Sequence, residues 1–352
     1  MKAAIYLKKT SPKTFEDWVT KNFGYELFKI FFKTYTEKVW GIDCNKIGAE
    51  WAGQRIKNLS ISSIVKNILS VKKGRNKIKS LIDEFEYPRK GAGMMYEKLA
   101  SELKKNGGRL ILNSEVISIN HADNKIISII TSSNGIKKDW SLDYLVSSMP
   151  LTDLIKKLSP LPPKEIMEAA EKLYFRSHIT VNLIVKKQNI FRDNWIYIHD
   201  PSITMARLTN FNNFSSEMSA NGMTLLGCEY FVFKNDKIWN SDDNQLKKFA
   251  IEEMIKMNFI SENDCIDCFI MREEFAYPTY YVGHEEFLEK IKTYVNEFSN
   301  LQVIGRGGMY KYNNQDHSIL TGLLAAKNIL SGNNKLTNLW EVNTDDDYHE
   351  KK

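Results

Sequence analysis

The segment Val303–Leu330, VIGRGGMYKYNNQDHSILTGLLAAKNIL, limits what this chain can fold into more than any other stretch. An apolar run ends at Ile304 and meets Gly305-Arg306-Gly307-Gly308. A polar loop with Tyr310 and Tyr312 follows, then Asn313-Asn314-Gln315-Asp316-His317. From Ser318 the apolar residues Ile319, Leu320, Leu323, Leu324 and Ile329 recur at helical spacing. Strand, glycine turn, polar loop and helix form one unit that places unpaired backbone N–H groups at a helix start. The dipole is positive there, so anions are favoured. Asp316 is also a good N-cap, and a plain strand-to-helix connection accounts for the same residues. On this stretch alone both readings stand.

At 352 residues the chain can hold one large or two ordinary domains around a real core. An apolar content of 43% with 12% aromatics argues for a globular chain. The net charge of +6 comes from 49 basic and 43 acidic residues spread along the sequence, which gives no nucleic-acid footprint. Apolar runs such as Leu142–Met149 are far too short to span a bilayer, and Met1–Lys9 lacks the apolar core of a signal peptide. A cytoplasmic setting is expected. Of the four cysteines only Cys265 and Cys268 are close, at the start of an apolar run that predicts a strand. Positions i and i+3 of a strand point to opposite faces, so a shared metal is not expected and the thiols read as buried or incidental.

Taken in order, Thr14 predicts the N-cap of a helix whose apolar stripe is Trp18, Val19, Phe23, Leu27, Ile30 and Phe31. Tyr35–Gly41 reads as an aromatic-rich polar segment, and Glu50–Arg55 as part of a short helix. Tyr87–Gly93 is a turn-rich loop before a helix Met94–Lys105 that closes at Gly107-Gly108. Its GAG lacks both a third glycine and a preceding strand, so it is not a dinucleotide fingerprint. Strands are predicted at Arg109–Ile119, Lys125–Thr131 and 137–141, then a buried strand within Leu142–Met149. A helix Lys164–Lys172 and strands near Ile179–Val185, Trp195–Ile198, Thr224–Phe233 and Cys268–Phe275 follow, with a helix at Asn244–Met257. Residues 331–352 read as a loose polar tail. No Walker loop, GxSxG elbow, HExxH or internal repeat occurs.

Several segments stand in a telling order: YTEKVWG (Tyr35–Gly41), QRI (Gln54–Ile56), YPRKGAG (Tyr87–Gly93) and GGRLILNSEV (Gly107–Val116). After them come YIHDP (Tyr197–Pro201), EYF (Glu229–Phe231), AYPTY (Ala276–Tyr280) and GRGGMYKYNNQDHS (Gly305–Ser318). Together they resemble the FAD-dependent amine-oxidase and protoporphyrinogen-oxidase-like flavoproteins, in a branch akin to UDP-galactopyranose mutase. The resemblance runs from about Thr14 to Leu330. It implies a mixed α/β (α+β) chain, with a partial FAD-binding doubly wound domain and an inserted antiparallel-sheet substrate domain. Residues 1–86 would be the helical part of the substrate domain, 87–160 a segment of the FAD domain, 161–300 the antiparallel sheet, and 301–330 the C-terminal FAD-binding segment. The family's βαβ unit with GxGxxG has no counterpart in these residues. A fragment, a degenerate copy, or half of a split protein completed by a complementing chain is therefore expected.

The resemblance also implies site residues. Gly305 and Arg306 would lie beside the FAD phosphates, Gln315, Asp316 and His317 near the flavin ring, and Val116 at the adenine. Tyr312 and Arg207 would hold a small-molecule substrate such as a sugar-nucleotide diphosphate, with Tyr277, Tyr280 and Arg89 as weaker candidates. No side chain stands out as an obligatory acid or base, which suits chemistry carried by a cofactor. The implied function is an FAD-dependent oxidoreductase. The alternatives are a mutase that works on reduced flavin without net redox change, and a non-catalytic remnant.

Overall fold

A computed structural model describes residues 11–51, 85–220, 222–333 and 336–343. The QRI motif at Gln54–Ile56, residues 52–55 of the expected short helix, and the acidic run Asp345–Asp347 lie outside the described residues. The chain forms two compact units, one from 1–108 with 176–274 and the other from 109–175 with 275–349. In chain order the strands are β1 (Glu115–Ala122), β2 (Lys125–Ser133), β3 (Ile136–Ser141), β4 (Leu145–Ser147), β5 (Leu158–Ser159) and β6 (Phe175–Val185). They continue with β7 (Trp195–Tyr197), β8 (Arg207–Asn210), β9 (Thr224–Val232), β10 (Cys265–Pro278) and β11 (Leu301–Val303).

In the first unit Thr14 and Asp17 make a capping box for the helix Phe15–Phe23. The apolar stripe does not continue in one helix to Phe31. Gly24, at φ +88°, ends it, and looser turns at Phe28–Lys33 leave Ile30 and Phe31 more than half exposed. Tyr35–Gly41, expected as a polar segment, is mostly the helix Thr34–Trp40, which buries Thr36, Val39 and Trp40. Its last carbonyls find a buried cation. Arg176 donates through Nε to the Val39 carbonyl at 3.0 Å, and through Nη2 to those of Lys38 and Phe231 at 3.1 and 2.6 Å. Gly41 then turns the chain in the left-handed region.

The sheet of this unit has the order β10-β6-β9-β8-β7, with β6/β9, β8/β9 and β7/β8 antiparallel. Alternation along β6 and β9 sorts residues to two faces. Ile179, Val181, Leu183, Leu226, Cys228 and Tyr230 pack on the helix Asp243–Lys256 through Leu246, Ala250 and Met254. The other parity carries His178, Thr180, Asn182 and Glu229, a polar face. β8, which sequence periodicity missed, is only four residues long and holds Arg207. The cysteine expectation also changes: Cys265 and Cys268 both lean on the same core cluster. Between them the Asp267 carboxylate takes the Cys268 N–H at 2.7 Å. Burial pushes the Cys268 thiol up to about 11, the behaviour of an inert thiol.

In the second unit a sheet of order β3-β2-β1-β5 is a meander whose β1–β2 turn, Asp123-Asn124, has both residues at positive φ. The strand expected from Arg109 starts only at Glu115. Within Leu142–Met149 just three residues are strand, and they pair in parallel with β11. The helices Leu151–Lys157 and His284–Val295 were not anticipated; their polar faces hide the apolar spacing. Val146 and Leu323 remain exposed, at 39% and 64%. Residues 336–343 are no loose tail. Leu339 and Val342 are buried, and Thr337 exchanges hydrogen bonds with the Asn328 side chain at 2.9 and 3.0 Å.

Gly41 leaves little room for a side chain. Its φ is +67°, and a Cβ would stand 2.4 Å from Arg176 Cζ. Gly41→Ala is expected to cost about 2–3 kcal/mol, by left-handed strain plus loss of the Arg176 bonds. Urea unfolding measures it; a change below about 0.5 kcal/mol would show that Arg176 does not hold this helix end.

Candidate functional site

The segment Val303–Leu330 folds around a buried tyrosine. Tyr310 adopts φ +48°, is 0% exposed, and donates its hydroxyl to the carbonyls of Tyr174 (2.8 Å) and Thr279 (2.9 Å). Phe175 meets its ring edge-on at 5.0 Å. Tyr280, stacked on His284, accepts the Tyr312 N–H on its hydroxyl at 2.7 Å. These contacts fix the start of the polar loop and assign Tyr280 a structural role.

Arg306 then falls beside two tyrosines. Its Cζ lies 4.7 Å from the ring centres of both Tyr277 and Tyr312, whose rings are 5.4 Å apart. Nε donates to the Asn313 carbonyl at 2.8 Å and Nη1 to that of Ala276 at 3.2 Å. Among the described residues no carboxylate pairs with it, so carbonyls and ring faces hold the guanidinium while its charge stays uncancelled. Asn313 is itself anchored: the Asn343 amide donates to its Oδ1 at 3.1 Å and to the Tyr312 carbonyl at 3.0 Å. Lys311 sends its ammonium into the same segment, to the carbonyls of Trp340 (2.9 Å) and Val342. Burial, with Lys292 nearby, holds its pKa down at about 8.

The glycine run is one helical turn, Gly305–Gly308, and not an open loop. The Gly305 N–H donates to Thr321 Oγ1 at 3.0 Å. Cβ atoms built on Gly307 and Gly308 would stand 3.4 Å from the Ser148 carbonyl oxygen and 2.8 Å from that of Ser147, so these glycines let the turn close on the end of β4. The following helix, Gln315–Leu330, starts earlier than expected. Its N-cap is Asn314, in a capping box with His317, and Asp316 is a first-turn acid and not the cap. A carboxylate at that position competes with any phosphate for the helix start. Gln315 and Asp316 are exposed, and His317 lies 3.2 Å from Asp316. Val116 stands elsewhere, half-buried in β1 where the ladder to β2 skips a residue.

Arg207 belongs to the first unit, and its environment is the opposite of Arg306's. It donates through Nε to Glu229 Oε1 at 2.8 Å and through Nη2 to Oε2. Thr209 Oγ1 donates to Oε1 at 2.8 Å, and His178 Nε2 lies 3.1 Å from Oε2. Burial alone would raise the Glu229 pKa; the His178 and Arg207 hydrogen bonds outweigh it and hold the carboxyl at about 2. Arg207 is thus a neutralised, oriented donor, with Tyr197 opposite it on β7 and Tyr35 edge-on to Tyr197 at 4.7 Å. Arg89, exposed, pairs with Glu217 at 3.3 Å. Sequence reading missed Glu229, His178, Lys311 and Asn343. The alternating polar residues of β6 were a usable signal for His178; nothing local marked Asn343.

A family model described as flavin containing amine oxidoreductase matches residues 4–330. Among solved structures, the fold resembles a reduced UDP-galactopyranose mutase, with TM-score 0.80 and 22% identity over 98% of this chain and 72% of that one. It also resembles a putative protoporphyrinogen oxidase from Exiguobacterium sp. 255-15, with TM-score 0.62 and 13% identity over 87% and 66% of the two chains. A putrescine oxidase redesigned in cofactor binding gives TM-score 0.60 and 12% identity over 91% and 68%. Among the described residues no helix is long and apolar enough to cross a membrane, and no metal-holding cluster of His, Cys, Asp and Glu is found.

Glu229 yields a pH prediction. Its folded-state pKa lies below its unfolded value, so its stabilisation is present above about pH 4.5 and is lost as pH falls towards 2. The wild type should lose roughly 2–3 kcal/mol over that interval from this group, and Glu229→Gln should remove that part of the slope. Urea midpoints at stepped pH test it; parallel slopes for the two proteins would contradict the assignment.

Proposed function

The chain belongs to the flavin-containing amine oxidoreductases, and from that premise we propose that it is an FAD-dependent oxidoreductase-like enzyme whose second unit binds the diphosphate of a sugar nucleotide through Arg306, Tyr277 and Tyr312. One observation carries the reading: a guanidinium over two tyrosine rings, held by carbonyls, with no carboxylate paired to it among the described residues. Such a group keeps its charge and its remaining N–H donors for an anion from outside the chain.

The residues at hand fit FAD as cofactor. Gly305, at φ +72°, has no atom within 4 Å of where a Cβ would stand, so its open side admits a close phosphate contact. Gln315, Asp316 and His317 would face the flavin from the start of their helix, and Val116 would meet the adenine. When bound, FAD supplies the electron acceptor for a C–H or C–N centre. The chain's own contribution is positional. Tyr310, fixed by two carbonyls, sets the loop; Tyr277 and Tyr312 supply hydroxyls and ring faces; Arg306 neutralises the ligand's negative charge.

Sequence reasoning placed Arg306 with FAD; its neighbours favour the substrate. A second reading, supported by the same cluster and by the likeness to UDP-galactopyranose mutase, is an isomerase that needs reduced flavin and causes no net oxidation. Turnover with oxidised FAD alone would exclude it.

Uridine diphosphate (UDP), followed by calorimetry, tests the receptor. Arg306→Met should weaken UDP binding about tenfold or more, since a charged hydrogen bond is worth about 1.5–3 kcal/mol. Flavin absorbance of FAD-incubated protein should be unchanged. Loss of flavin with UDP affinity intact would assign Arg306 to the cofactor instead.

A further inference from the structure

We propose that the C-terminal strap, residues 336–343, is a positioning element for the anion receptor, acting through Lys311 and Asn343; the inference rests on the diphosphate reading of Arg306. The strap is anchored independently of the receptor. Leu339 and Val342 are buried at 7% and 8%, Thr337 is tied to Asn328, and the Trp340 indole N–H reaches Asn296 Oδ1 at 3.3 Å. From that base it grips three consecutive loop residues. Lys311 donates to the Trp340 and Val342 carbonyls, and Asn343 donates to the Tyr312 carbonyl and to Asn313 Oδ1.

The consequence runs through one more bond. Asn313, 1% exposed, gives its carbonyl to Arg306 Nε at 2.8 Å, and Tyr312 supplies one of the two rings under the guanidinium. Both elements that aim Arg306 from its own loop are therefore held by the strap. Tyr277 and the Ala276 carbonyl aim it from β10. Without the strap, Arg306 keeps its β10 support, while the loop side is left with the Tyr280 bond to the Tyr312 N–H and loses the Lys311 and Asn343 bonds. A guanidinium ordered in advance binds a diphosphate more tightly than one that must be ordered by it. Asn343 suits the task because it sits at φ +59°, a conformation asparagine tolerates and glycine adopts freely.

That conformation allows a substitution that removes the amide without straining the backbone. Asn343→Gly deletes both side-chain bonds and keeps φ accessible, and Lys311→Met keeps much of the buried stem but no ammonium. UDP affinity is measured by calorimetry at 10 °C on wild type, Asn343→Gly, Lys311→Met and Arg306→Met, each shown folded by its melting curve. The strap proposal expects roughly five- to tenfold weaker UDP binding by each strap variant and a larger loss for Arg306→Met. A merely structural strap would lower melting temperatures and leave the affinity of the folded protein alone. Wild-type affinity in both strap variants, with binding lost in Arg306→Met, would overturn the strap proposal and spare the receptor. No UDP binding by the wild type would overturn the receptor and the strap's role with it.

Discussion

A cation with no carboxylate partner among the described residues has to be held by other groups, and the second unit supplies them. Arg306 is held by dipoles and by ring faces: two carbonyl oxygens fix its plane and two tyrosines lie beneath it. Carbonyls satisfy N–H donors without cancelling charge, whereas one carboxylate would fill the fork. The surrounding design follows from this. Tyr310 is buried in an unusual backbone conformation so that the loop after the glycine turn comes back over β10. Tyr280 serves as a hydroxyl post for the Tyr312 amide.

The first unit solves a different problem with the same residue type. Arg207 meets Glu229 in a two-pronged pair, with Thr209 and His178 completing the carboxylate's shell. Glu229 is 6% exposed, and an ion so deeply placed must have its partners or change protonation. The pair sits on the polar face of a sheet whose other face is the main apolar core of that unit. Sheet alternation alone separates the oily side from the side able to present donors to a ligand. The two arginines are chemically alike and electrostatically unlike: one carries a field, the other a geometry.

Much of this was legible in the sequence, for identifiable reasons. Alternation predicted β6 and β9, capping chemistry marked Thr14, and helical spacing marked the helix that follows the Gly305–Gly308 turn. What stayed hidden depended on distant parts of the chain. Helix Thr34–Trp40 is fixed by Arg176, more than 130 residues away. The cap moved from Asp316 to Asn314 because His317 returns the bond that completes a capping box. Cys265 and Cys268 both pack against one core cluster, which depends on strands far from them in sequence. The strap was invisible because its polar composition looks like any tail, and only Leu339 and Val342 find a core.

The β4–β11 pair has a consequence for dynamics. It is a parallel ladder of three residues a side, with Val146 exposed, whereas β6 and β9 share nine paired positions with a helix packed on one face. Short ladders open locally at far lower free energy than long ones, so their amides trade protons with solvent without the chain unfolding. The turn and loop that carry Arg306 leave from the end of β11. The turn that carries Arg306 thus leaves from a short ladder, while Tyr310 in the loop beyond it is fully buried. Local opening of this ladder would reach the loop that carries Arg306 without unfolding the unit.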